Sequence, residues 1–296
     1  MKLALSILGL DTWFGGDIAA VIPLVQLADR KGIDQLTLSD HVIMSEATDK
    51  YPYGAFPSPP DSPWFEPMVL LAAVASATTR IRLATGILIS PLRPAVLLAK
   101  QAATLDVLSR GRLDLGVGVG WQREEYDACG VPWSGRFAYL EEQVRVCQTL
   151  WRDAPASFHG QFVNFDRLYS LPRPVQPGGV PVTFGLPPTS RHFARVAELG
   201  AGWTPMERDP ERLGPMVNTL RRIVADAGRD PDALLIRGMA SAVRDADGRP
   251  DLDATLALAR RLSAAGLTMV TFSPAAFCRG PDDFERFIDT ILMLKD

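Results

Sequence analysis

"IRLATGILISPLRPAVLLAKQAATLDVLSRGRLDLGVGVGWQREEY", residues 81–126, decides the fold. The run "IRLATGILI" (81–89) reads as a strand. Pro94 opens a helix over 94–108, and Gly111 stands just past its end, a start and a stop in the expected places. "RLDLGVGV" (112–119) is a second strand-like run. The same rhythm continues on both sides, with strands expected at 2–8, 35–39, 180–185, 201–206, 234–241 and 268–273. Helices are expected at roughly 66–78, 136–151, 189–199, 211–227 and 252–265. The first helix carries an apolar stripe at Ile18, Val21, Ile22 and Val25, and the last one at Phe284, Phe287, Ile288, Ile291 and Leu292. Eight strands each followed by a helix, in 296 residues, predict an α/β fold: a (β/α)8 TIM barrel spanning 1–296 as a single domain.

Composition narrows the function classes. With 47% hydrophobic residues, 22% charged residues and a formal net charge of −3, the chain has no basic surplus for nucleic acid or for an anionic membrane. A small-molecule substrate is the expected partner. Cys129, Cys147 and Cys278 are odd in number and scattered, which fits neither a disulfide framework nor a zinc knuckle. His41, His159 and His192 are too dispersed for a metal site, so no metal is expected. The first residues, "MKLALSILGLDTW", read as a strand meeting a turn rather than as a signal peptide. No window reaches the ~18 apolar residues of a membrane span. A cytoplasmic protein with no membrane partner is expected.

Two stretches interrupt the rhythm. Residues 42–64, after the second strand, are rich in Pro, Ser, Asp and Tyr and too long for a simple link. Following a strand, they belong at the C-terminal mouth of a barrel and form a candidate lid. Residues 155–178 read as an inserted hairpin with a Pro-rich return before the fifth strand.

Gly116, Gly118 and Gly120 run as G-x-G-x-G. A dinucleotide-binding turn needs G-x-G-x-x-G in the first strand–helix unit and a helix directly after it. Here the unit is the fourth, and "WQREEYDACGVPW" is not a compact helix start. Glycine within a barrel strand also relieves crowding. At the strand's C-terminal end, a flat cofactor ring against bare backbone explains it better.

Residues 79–133 as a whole resemble the signature of the luciferase-like monooxygenase superfamily. They are most similar to its coenzyme F420-dependent oxidoreductase branch. "SDHV" (39–42), "YPY" (51–53), "PWFEPMVLLAAVASATTRIRL" (63–83) and "LPRPVQPGGVPVTFG" (171–185) fit the same pattern. The likeness covers most of the first 205 residues and weakens afterwards.

The resemblance implies a flavin or deazaflavin at the barrel mouth, with Asp40 and His41 near its ring. Because the cofactor carries the hydride, the protein must orient the substrate and manage one proton, a task that suits an imidazole. His41 is therefore the candidate acid, with Asp11 at the end of the first strand a second candidate. The resemblance also implies a non-prolyl cis peptide at Gly86–Ile87, beside Thr85. It puts Gly118, Val119, Gly120, Trp121 and Glu125 along the cofactor, and Phe184, Gly185, Leu186, Thr189 and Ser190 toward its phosphate. Where the family offers Gly-Gly, this chain has Gly185-Leu186-Pro187-Pro188, and the two prolines lack N–H donors. Trp13, Phe14, Trp64, Trp121 and Trp203 together suggest an apolar pocket for a hydrophobic substrate. Arg279 stands after the last strand. The resemblance further implies a homodimer packed through helices flanking the second and third strands. Three functions compete: an F420-dependent oxidoreductase, an FMN-dependent monooxygenase using dioxygen, and a non-catalytic barrel that binds a flavin or other ligand.

Overall fold

In the computed structural model, which describes residues 1–295, the strands of the main sheet run parallel, joined by helices. The first half of the chain contains β1 (Lys2–Ser6), α1 (Ile22–Lys31), β2 (Gln35–Leu38), α2 (Pro67–Ala77), β3 (Arg82–Thr85), β4 (Leu88–Ile89), α3 (Ala95–Leu108), β5 (Leu113–Gly118), α4 (Arg123–Ala128) and α5 (Arg136–Arg152). A hairpin, β6 (Ala156–His159) and β7 (Asn164–Leu168), comes next. Then follow β8 (Val182–Phe184), α6 (Ser190–Leu199), β9 (Gly202–Trp203), α7 (Pro210–Asp226), β10 (Leu235–Met239), β11 (Val243–Arg244), β12 (Pro250–Asp251), α8 (Leu252–Ala264), β13 (Met269–Phe272) and α9 (Pro281–Leu292). Strands β1, β2, β3, β5, β8, β9, β10 and β13 pair in that order, and β13 closes on β1 with Lys2 opposite Met269. The chain is thus the expected closed eight-stranded α/β barrel.

Several elements differ from expectation for local reasons. The strand expected at 81–89 is broken by a cis peptide at Gly86–Ile87, after which β4 continues it with Leu88 opposite Val117. The strand expected at 201–206 shortens to two residues. A Cβ at Gly202 would run into the Leu235 backbone, so only glycine lets β9 approach β10 there. The first helix divides into a 3-10 turn, Ile18–Val21, and α1, whose second residue is Pro23. A short helix, α4, follows the glycine turn where none was expected, and β11–β12 form an unexpected antiparallel pair. Among the described residues no helix is long and apolar enough to cross a membrane.

The barrel interior is unusually polar. Gln35 Nε2 donates to Asp114 Oδ2 at 2.7 Å, and Arg82 holds the same carboxylate from Nε and Nη2. Arg237 donates to Gln35 Oε1 at 2.6 Å and to the Thr85 carbonyl at 2.9 Å. Burial lowers the Arg237 guanidinium to about 10, so it stays protonated at neutral pH. Every member of this set is hydrogen-bonded, the condition under which a buried polar layer is tolerated. Apolar packing lies instead between the strands and the helices, around Leu36, Leu83, Leu115, Val182 and Ile236.

The two long segments are held differently. The backbone N–H groups of Gln161, Phe162 and Val163, at the hairpin tip, donate to Glu142 of α5. The return segment is fastened by Asp106, which accepts from Val175 and Gln176, while Gln176 reaches the Leu113 carbonyl at the start of β5. That return lies at the N-terminal face, whereas the hairpin tip packs on the first turns of α5, with Phe162 against Tyr139. Residues 42–64 lie at the mouth.

Candidate active site at the barrel mouth

His41 follows β2 and is buried, 8% exposed. Its Nδ1 lies 3.2 Å from Glu125 Oε2, and the other carboxylate oxygen accepts the Val42 N–H at 2.6 Å. Glu125, on α4, is fully buried. It was expected to line the cofactor; it lies against the imidazole and the first lid residue instead. Asp40 also departs from expectation. Its carboxylate takes both ends of the Arg93 guanidinium, at 2.7 and 3.0 Å, and the Ile89 N–H at 2.8 Å. Arg93 in turn reaches Glu66 at 2.8 Å. A carboxylate so occupied is not a proton donor; it ties the end of β2 to β4. Neither Arg93 nor Glu66 carried a sequence signal, because ion pairing across 27 and 53 residues leaves no local pattern.

The lid is folded down on His41. Trp64 lies edge-on at 4.7 Å between ring centroids, Phe56 at 5.9 Å and Trp121 at 6.0 Å. Tyr51 joins the cluster against Trp121 and Phe56. The turn after β5 holds the lid at three points: Glu125 on Val42, Gln122 on the Ser45 N–H, and Glu124 on Lys50. Of the other aromatics expected in a pocket, Trp13 packs on Phe284 of α9. Trp203 packs on Phe193 and donates its N–H to the Leu186 carbonyl, and Phe14 packs on the core.

The glycines are spoken for by the protein itself. A Cβ at Gly118 or Gly185 would collide with the Ile87 side chain, and one at Gly120 would crowd Ile89. The bare backbone expected to carry a ring therefore seats the residues that follow the cis peptide at Gly86–Ile87. Thr85 is fully committed, its hydroxyl to the Gly116 carbonyl at 2.6 Å and its own carbonyl to Arg237. Val119 is buried in the core and its carbonyl takes the Tyr126 hydroxyl. Phe184 faces outward, where a Cβ at Gly200 would touch its ring, and Leu186 is buried. These three do not face the mouth.

What does remain open is a set of polar atoms. Asp11 Oδ2, Thr37 Oγ1, Ser90 Oγ, Thr183 Oγ1, Thr204 Oγ1 and Ser241 Oγ are buried without partners, as are the indole nitrogens of Trp64 and Trp121. Each belongs to the C-terminal half of a barrel strand or to the segment after one. Buried polar groups are normally paired; other unpaired atoms lie on the outer helices, at Gln101, Arg136, Gln143, Arg195 and Arg221, while those at the strand ends are the candidate contacts for a ligand at the mouth. Neither Thr37, Thr183 nor Thr204 stood out in sequence, because a lone threonine in a strand has no distinguishing context.

At the α6 end, Thr189 is the N-cap and accepts the His192 N–H, while His192 Nδ1 lies 3.0 Å from the Pro187 carbonyl. Burial holds the His192 imidazole below its ordinary value. Ser190 and Arg191 are exposed, and as the first residues of the helix their N–H groups have no intrahelical acceptor. The Arg279 backbone N–H donates to Asp283 at the start of α9.

Comparison with known proteins places these observations in a wider set. Residues 11–245 match the model of a family described as luciferase-like monooxygenase. An uncharacterised protein of Mycobacterium tuberculosis is 39% identical over 165 residues, which are 56% of this chain and 58% of the relative. A pyrimidine monooxygenase of Yersinia enterocolitica is 28% identical over 177 residues, 58% of this chain and 48% of that one. The chain thus spans about half the length of these relatives. The structure of an F420-dependent secondary alcohol dehydrogenase in complex with an F420–acetone adduct superposes with a TM-score of 0.77 over 100% of both chains, at 16% identity. At that identity the likeness is one of fold.

Proposed function

The chain belongs to the luciferase-like monooxygenase family, and from that premise we propose that it is an oxidoreductase moving a hydride between deazaflavin coenzyme F420 and a small hydrophobic organic substrate. The observation that carries this reading is the pairing of a buried imidazole with a ring of unsatisfied polar groups at the barrel mouth. Those groups fit the polar edge of a flavin-like ring, which offers carbonyls and ring N–H. Asp11, Thr37 and Thr183 would hold that edge beside Gly86 and Ile87. The N–H groups of Ser190 and Arg191, with the Thr189 hydroxyl, would take the phosphate at the α6 N-terminus. When bound, deazaflavin supplies a carbon that gives or accepts hydride and does not readily activate oxygen.

The chain's own part is threefold. Tyr51, Phe56, Trp64 and Trp121 exclude water and give an apolar wall to the substrate. The Asp40–Arg93 pair and the β4 segment hold the strand ends in register. His41 holds the proton that enters or leaves the substrate oxygen or nitrogen as hydride moves. His41→Gln is expected to slow turnover by about 10²–10⁴-fold under anaerobic conditions, with coenzyme affinity changed by less than about threefold. Equal loss of affinity and rate would contradict that role.

Similarity to the pyrimidine monooxygenase favours a second reading, an FMN-dependent monooxygenase using dioxygen. Turnover that stops when oxygen is removed would select it. A homodimer is part of the proposal. Val69 of α2 and Val96, Leu97, Val107 and Leu108 of α3 are exposed on neighbouring helices, an apolar face suited to a second copy.

A further inference from the structure

Glu125 was expected to touch the cofactor, and the structure gives it a different task. The carboxylate is completely buried, and its contacts are two: the Val42 N–H on Oε1 and the His41 ring on Oε2. A carboxylate has only acceptors to offer. The imidazole nitrogen facing it must therefore carry hydrogen. We propose that Glu125 is a positioning residue that locks His41 in the Nδ1–H tautomer, leaving Nε2 as the nitrogen that meets the substrate. This deepens the proton-handling role above and rests on it for its catalytic meaning.

The surroundings leave Glu125 alone in that task. Asp40, next in sequence to His41, is held by Arg93 and Ile89. Tyr126, next to Glu125, donates its hydroxyl to the Val119 carbonyl, and burial pushes its phenol up, so it stays neutral. Tyr51 of the lid is also pushed up by burial. Cys129, at the end of α4, is raised by burial and then by Glu125 itself, and stays a thiol. The remaining neighbours of the ring, Phe56, Trp64 and Trp121, carry no charge. Among the described residues, none other than Glu125 bonds a ring nitrogen of His41.

The same carboxylate binds the first residue of the lid. Orientation of the imidazole and seating of the lid hinge thus share one buried group. A lid that lifts at Val42 gives up one of the two contacts that fix Glu125, so the proton-handling nitrogen is held in place most firmly when the lid is down.

The substitution Glu125→Gln separates this from a structural role. A carboxamide keeps an oxygen for the Val42 N–H and turns its NH₂ toward His41. Nδ1 must then accept, and the ring hydrogen moves to Nε2. Long-range ¹H–¹⁵N spectra of the histidine rings read this directly in the protein without coenzyme. With three histidines, the His159→Gln and His192→Gln variants assign the signals. Above the pH of ring protonation, wild type is expected to show hydrogen-bearing Nδ1 and lone-pair Nε2, with the two signals exchanged in Glu125→Gln and restored in Glu125→Asp. In turnover, kcat of Glu125→Gln falls at least a hundredfold, with the coenzyme KM nearly unchanged. A wild-type ring protonated at Nε2, or an unchanged pattern in Glu125→Gln, overturns the proposal. The wild-type spectrum decides even where the glutamine variant does not fold. Failure to bind coenzyme would instead strike the functional reading and leave the ring spectrum standing.

Discussion

A Cβ at Gly118 would meet Ile87 Cδ1 on one side and stand 3.0 Å from the Gly185 carbonyl on the other. Gly118→Ala is therefore expected to destabilise the fold by about 1–3 kcal/mol, the usual cost of overpacking. In an Ile87→Ala background the added cost should shrink, and a double-mutant cycle by urea denaturation would measure the difference. Additivity would mean that Ile87 does not fill the glycine gap. This position also marks the limit of residue-level reading. The glycine run marked the C-terminal end of its strand, but not what occupies the bare backbone, because Ile87 lies 31 residues away and reaches it only through the β4–β5 pairing. His41 was singled out through the resemblance, helped by its place directly after a strand and before a long loop, and the structure buries it at that strand end. Its partner 84 residues on was visible only as one acid in a charged block.

Between elements, Asp29 of α1 accepts from the backbone of Thr79, Arg80 and Ile81 and so ties α1 to the turn before β3. Burial raises its carboxyl pKa, but these N–H donors and the Thr79 hydroxyl outweigh burial and leave it below its ordinary value. A carboxyl with a folded pKa below its unfolded one stabilises the fold above the unfolded pKa. That contribution fades as pH falls through the folded pKa. Asp29→Asn is expected to lose about 1–3 kcal/mol at neutral pH. The gap between wild type and variant in urea midpoint should narrow from about pH 4 downward; a constant gap would contradict the sign. Helices and strands were read mostly correctly because their apolar stripes are local. The break at Gly86–Ile87 followed from resemblance rather than from periodicity. Helix α4 escaped notice because six residues with four charged side chains show no apolar stripe.

For the molecule as a whole, the barrel was legible because eight strand–helix units repeat along the chain, and closure follows from their number. The placement of the long segments was only half legible. A segment after a strand goes to the mouth, as 42–64 does. A segment before a strand has no such rule, and contacts such as Gln176 to Leu113 fix only its return at the other end. Oligomeric state tests the apolar face of α2 and α3. Light scattering is expected to give a dimer for wild type and a monomer of unchanged circular dichroism for the Val69→Glu/Leu97→Glu variant; a monomeric wild type would contradict the proposal.

The central claim is that the barrel mouth beside His41 receives a deazaflavin. Equilibrium fluorescence titration of the purified protein with coenzyme F420 and, separately, with FMN tests it most directly. The account predicts saturable one-to-one binding of F420 with a dissociation constant at least about tenfold below that of FMN, a difference of roughly 1.4 kcal/mol. Tighter binding of FMN would contradict the coenzyme assignment, and retention of neither would contradict the account of the mouth itself.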